Sequence, residues 1–170
     1  MYDKIREFLN YQGIKYVAPT KVGEDAERML AYRALGQEAR KEFTQLVTDF
    51  HQLYPQLRQD RTSQWMNQAQ LLRPHFWAYL QGEGSMADPM FALRLYGDSK
   101  DFGVSLEVSF IERKKDEGSL RKQNQVLTLP VSSPIYYLAQ EGGVSQRFQG
   151  TEANRLRLLK GVETGQVRKV

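Results

Sequence analysis

The sequence predicts an α+β fold in which an antiparallel sheet of about five strands packs against N-terminal helices. Three observations carry this. A long stretch from Glu24 to about Tyr54 repeats apolar residues at helical spacing. Residues 75–112 and 135–149 hold short runs in which apolar and polar residues alternate. Glycine-bearing turns separate those runs at hairpin spacing.

Taken in order, Ile5, Phe8 and Leu9 make a short amphipathic helix that Gly13 closes as a left-handed cap. Ile14–Val17 reads as a short strand before the Ala18-Pro19-Thr20 turn. The long helix follows, with acids in its first turn and a buried stripe of Phe43, Leu46, Val47, Phe50 and Leu53. Gly36 is expected to break or kink it, and Pro55 to end it. Thr62 or Ser63 should cap a further helix running to Leu72, which Arg73-Pro74 stops.

The second half reads as a meander. Residues 75–80, 90–96 and 102–112 are strands, and residues 119–127 a short helix. Ile135–Gln140 and Val144–Gln149 pair around Glu141-Gly142-Gly143, and Thr151–Glu163 is the last helix, ended by Gly165. The closing Val167-Arg168-Lys169-Val170 has the character of a strand opening. That pattern suits a truncated chain or an end that pairs at a sheet edge.

With 170 residues, 41% hydrophobic and 26% charged, residues 1–170 are expected to form one domain. No apolar run approaches the ~20 residues of a membrane span, and the acid-bearing start is unlike a signal or transit peptide. The expectation is a cytoplasmic protein without membrane contact.

The absence of cysteine excludes disulfides, thiol catalysis and thiolate zinc sites. Two histidines, His51 and His75, exclude a multi-histidine metal site. There is no G-x-G-x-x-G loop, no P-loop and no G-x-S-x-G elbow, so no cofactor and no resident metal are expected. The net charge of +4 is concentrated near the end. Residues 145–170 carry six basic side chains against Glu152 and Glu163, a balance equal to the whole excess. Such asymmetry favours an anionic partner.

Two constellations point to chemistry. The first is Glu112-Arg113-Lys114 with Asp98 and Asp101 upstream. Acid-x-Lys after such acids is the residue order of metal-dependent nucleases of the restriction-endonuclease type, where carboxylates hold Mg²⁺ and the lysine orients the attacking water. Strand parity puts Glu112 and Lys114 on one face, yet that face is also the apolar one of Val104, Leu106, Val108 and Phe110, and a strand ending in a solvated charge cluster reads the same way. The second combines aromatic rings with basic residues. Trp77 and Tyr79 share a strand face and could stack on bases. Arg113, Lys114 and Lys115, with Arg155, Arg157 and Lys160, could contact phosphates. Arg94 and Glu107 are expected to form a plain cross-strand ion pair.

The stretches GEDAERMLAYRALGQEARKEF, RPHFWAYL and LEVSFIERKK resemble a small bacterial protein family without an established function, over nearly the full chain. Some members carry a glucose-6-phosphate dehydrogenase label, which the missing dinucleotide loop does not support here. In layout alone, helices followed by HFWAYL, FALRLYG and VSLEVSF are also similar to the N-terminal DNA-recognition domains of McrB-type modification-dependent restriction systems. That likeness implies duplex DNA binding and transfers no pocket residue.

The functional expectation is a nucleic-acid-associated binding module. One alternative is a Mg²⁺-dependent nuclease using Asp98 or Asp101, Glu112 and Lys114. Another is a protein-interaction or regulatory domain without catalysis, acting on a protein partner or as a homo-oligomer.

Overall fold

The computed structural model describes residues 1–73, 76–82, 90–109, 117–132 and 134–170. Helices α1 (Asp3–Leu9) and α2 (Ala26–Leu53) form where the apolar repeat is helical. Gly13, at φ +84°, turns the chain after α1 in a conformation that side chains resist.

α2 runs through Gly36 without a break. The glycine serves packing instead: a Cβ there would lie 2.6 Å from the Trp65 ring. Leu53, assigned by spacing to the buried stripe, is 74% exposed at the end of the helix.

The helix expected from Thr62 or Ser63 to Leu72 does not form, because the hydroxyls that would cap it are engaged elsewhere. Thr44 Oγ1 donates to Thr62 Oγ1 at 2.8 Å, and Ser63 Oγ accepts the Trp77 N–H at 3.1 Å. Arg40 donates to the carbonyls of Ser63 and Thr62, at 2.9 Å each. Isolated bridges Lys15↔Leu71 and Met66↔Leu72 complete this irregular segment, the first taking the place of the strand expected at Ile14–Val17.

β1 (Arg58–Gln59), β2 (Trp77–Gln81), β3 (Met90–Gly97) and β4 (Phe102–Ser109) form a four-stranded antiparallel sheet in that order. Alternation sorts its side chains. Ala78, Leu80, Leu93 and Leu95 are buried in the core that α1 and α2 cover. Phe76 lies between Phe8 and Phe43, with ring centroids 5.4 and 5.8 Å away.

The chain divides into two compact units, one of Met1–Ser85 and Met90–Glu107 and one built mainly from Val108–Val170. Each unit has its own sheet and core. In the second, β5 (Tyr136–Glu141), β6 (Val144–Gln149) and β7 (Val167–Lys169) are ordered β6-β5-β7. Gly142 and Gly143 supply two consecutive positive φ angles, +54° and +84°, as a tight two-residue hairpin requires.

Helix α3 (Glu117–Asn124) leads into a 3-10 turn, Gln125–Thr128. Helix α4 (Glu152–Glu163) starts at Thr151, whose side chain accepts the Asn154 N–H. Leu127, Tyr137, Ala139, Leu158 and Val167 form the core between these elements. The strand-like chain end pairs with β5, Glu141 opposite Val167 and Gln140 opposite Lys169.

The fold class is therefore α+β with N-terminal helices against an antiparallel sheet, as the sequence predicts, and the strands divide between two sheets. Among the described residues no helix is long and apolar enough to cross a membrane.

Candidate nucleic-acid interface

The four-stranded sheet has a second face, opposite the helices. Parity assigns it Trp77, Tyr79 and Gln81 from β2, Arg94 and Tyr96 from β3, and Gly103, Ser105 and Glu107 from β4. All of these are half-buried, and Ala92, which shares the face opposite Tyr79, is fully buried. Register sets Trp77 opposite Arg94 and Tyr79 opposite Ala92.

Two guanidinium groups attend the indole. Arg73 lies 4.4 Å from the Trp77 ring centroid and Arg94 5.7 Å from it. Arg73 is oriented by its Nε–H, which donates to the Met66 carbonyl at 3.1 Å. Arg94 Nε donates to Glu107 Oε2 at 3.2 Å, and Ser105 Oγ lies 3.2 Å from Glu107 Oε1. The cross-strand pair read from alternation is present.

Next along β3, a Cβ on Gly103 would fall 2.7 Å from Tyr96 Oη and 2.9 Å from its Cζ. The hydroxyl end of the Tyr96 side chain therefore sits over the glycine. At the β1 edge, Arg58 Nη2 donates to Gln81 Oε1, and Gln81 Nε2 donates to Asp60 Oδ2 at 2.6 Å.

The residues assigned to chemistry by sequence are distributed unevenly. Trp77 and Tyr79 share this face. Asp98 and Asp101 occupy the exposed β3–β4 turn. There Asp98 Oδ1 accepts the backbone N–H of Lys100 at 2.8 Å and of Asp101 at 3.0 Å. Those bonds, Asp101 first, hold the Asp98 carboxyl below the ordinary aspartate value. Gly97, at φ +95°, lets the turn close, because a Cβ would strike the Asp101 carbonyl oxygen at 2.1 Å. Glu112, Arg113, Lys114 and Lys115 lie outside the described residues. Among the described residues no group of three or more His, Asp or Glu could hold a metal ion.

In the second unit, Arg155 is committed to structure. It bonds Glu152 through Nη2 at 2.5 Å and Nε at 2.8 Å, and its Nη1 donates to the Leu127 carbonyl at 2.9 Å. The hydrogen bond from Arg155 holds the Glu152 carboxyl below its usual range. Arg157 reaches Glu141 at 3.3 Å and lies 4.8 Å over the Phe148 ring. Lys160 is exposed on α4.

Sequence reasoning missed Arg73 as a ring partner, since Arg73-Pro74 reads as a helix terminator. Tyr96 stands two residues from Arg94 and so shares its face. Comparison with protein-family models, curated proteins and solved structures finds no match.

Proposed function

We propose that this protein is a nucleic-acid-associated binding module that uses the open face of the β1–β4 sheet. One observation carries the reading: a half-exposed sheet face holds Trp77, Tyr79 and Tyr96 with the guanidinium groups of Arg73 and Arg94 beside the indole. Base-binding surfaces combine the same two components, rings that stack on bases and cations that meet phosphates. The apolar core is built on the other side of the sheet, so these rings are not its filling. Lys160, exposed on α4, adds cationic surface in the second unit, whereas Arg155 is engaged with Glu152 and Leu127 and Arg157 with Glu141 and Phe148.

The nuclease alternative has less support. To ligate Mg²⁺ through Oδ1, Asp98 would have to give up two backbone N–H partners and open the turn they close. The contacts considered for Arg113, Lys114 and Lys115 remain part of the binding proposal.

Anisotropy titration of labelled oligonucleotides across a salt series tests the reading. Affinity should fall with a log–log slope of about −0.7 to −0.9 per phosphate contacted. Trp65 is 7% exposed while Trp77 is half-buried, so base stacking should quench Trp77 preferentially. Trp77→Phe should remove that quench. An absence of binding at low salt rejects the proposal.

A further inference from the structure

Resting on the reading of this protein as a nucleic-acid binder, we infer that its second unit makes the phosphate contacts, through a cationic surface formed where the last turn of α3 meets β7. The residues that carry it are Arg121, Lys122, Arg168 and Lys169.

Charge is divided unequally along the chain. Residues 1–116 hold sixteen basic and sixteen acidic side chains, whereas residues 117–170 hold eight basic and four acidic ones. The whole positive excess therefore belongs to the second unit, in which residues 117–170 lie. A polyanion is drawn to that unit, and the balanced remainder of the chain offers it no net attraction.

Ion pairing decides which of these cations remain for a partner. Arg155 is bonded to Glu152 and Arg157 to Glu141, so each of these charges is met within the unit. Arg121, Lys122, Arg168 and Lys169 take part in no ion pair among the described residues. The first three are exposed and Lys169 is half-buried. The two remaining acids, Glu117 and Glu163, are exposed and form no ion pair there either.

The fold gathers the four cations from segments far apart in sequence. Asn124, the last residue of α3, donates from Nδ2 to the Arg168 carbonyl at 3.1 Å, and its Oδ1 accepts the Val170 N–H at 2.8 Å. The amide thus brackets Lys169 and fastens the end of α3 to β7. Arg121 and Lys122 stand in that same last turn. Arg121, three residues before Asn124, also shares its side of the helix.

The negative end of the helix dipole accounts for cations on α3. It gives no reason for two more on the strand fastened beside them, where like charges repel. Gathered positive charge opposes compactness, and a phosphate backbone relieves it while releasing its own counterions. Contacts of this kind carry no base information, so binding through this surface should be uniform across sequences.

Anisotropy titration of the full chain with labelled oligonucleotides of several sequences, across a salt series, tests the inference. Arg121→Gln combined with Arg168→Gln removes two of the charges. Asn124 grips the main chain of residue 168, so the fold should survive, and a circular-dichroism melt verifies it. This double variant should lower the log–log salt slope by about 2, alike for every sequence. Arg33→Gln combined with Lys41→Gln takes the same charge from two exposed positions on α2 and should leave the slope as in the wild type.

A slope unchanged in the Arg121/Arg168 variant, or lowered equally in both double variants, overturns this inference and leaves the nucleic-acid reading standing. Failure to bind any oligonucleotide at low salt overturns both, and capture on phosphatidylserine vesicles in its place would assign the cations to a lipid surface.

Discussion

The Asp98 carboxylate accepts two backbone N–H groups in the β3–β4 turn, and this bonding lowers its proton affinity. A carboxyl with a depressed folded pKa stabilises the fold fully above its unfolded value of about 3.9 and loses that contribution as pH falls through the folded value. Asp98→Asn retains an acceptor oxygen but cannot titrate. Urea unfolding of both proteins between about pH 2 and 6 should show the wild type losing stability more steeply below about pH 4. Parallel pH profiles would mean the turn gains nothing from the charge. At the same scale, the Arg94–Glu107 pair was legible because strand parity alone puts two opposite charges on one face. Arg73 was not, because nothing local announces that its guanidinium will lie on a ring in β2.

Among the elements, α2 was legible from its apolar period, but the role of Gly36 was not. Glycine disfavours helix by about 1 kcal/mol relative to alanine, so sequence alone makes it a weak point. The tertiary fold sets Trp65 against it, leaving no room for a methyl group. Gly36→Ala therefore opposes a propensity gain of about 1 kcal/mol to an overpacking cost of about 1–3 kcal/mol. A net loss of up to about 2 kcal/mol in the urea-derived stability is expected, and a gain would show that Trp65 yields freely. The segment from Thr62 to Leu72 was misread for a related reason. Its capping hydroxyls were visible, but their engagement with Thr44 and Trp77 depends on chain that is distant in sequence.

For the whole molecule, the described residues hold two cores, each under its own sheet. In the first, Phe76 is fully buried between Phe8 and Phe43 and joins both N-terminal helices to β2. Phe76→Ala should destabilise this unit by about 3–5 kcal/mol, read as an early loss of amide-exchange protection in β2 and β3. Protection unchanged in those strands would place the cohesion of the unit elsewhere. The opposite face of the same sheet depends on this core indirectly, since the residues that alternate with Trp77 and Tyr79 are those that anchor β2.

By itself the sequence determined the α+β class, the order of most helices and strands, the two-glycine hairpin, the strand character of the chain end and the sharing of one face by Trp77 and Tyr79. Each of these follows from local period or backbone chemistry, to which nearby residues are sufficient. Only the tertiary structure decided the division of the strands between two sheets, the packing role of Gly36, the turn duty of Asp98 and the gathering of Arg73 and Arg94 around Trp77. Those outcomes depend on which distant groups compete for the same hydrogen bonds and the same volume, and periodicity carries no record of that competition.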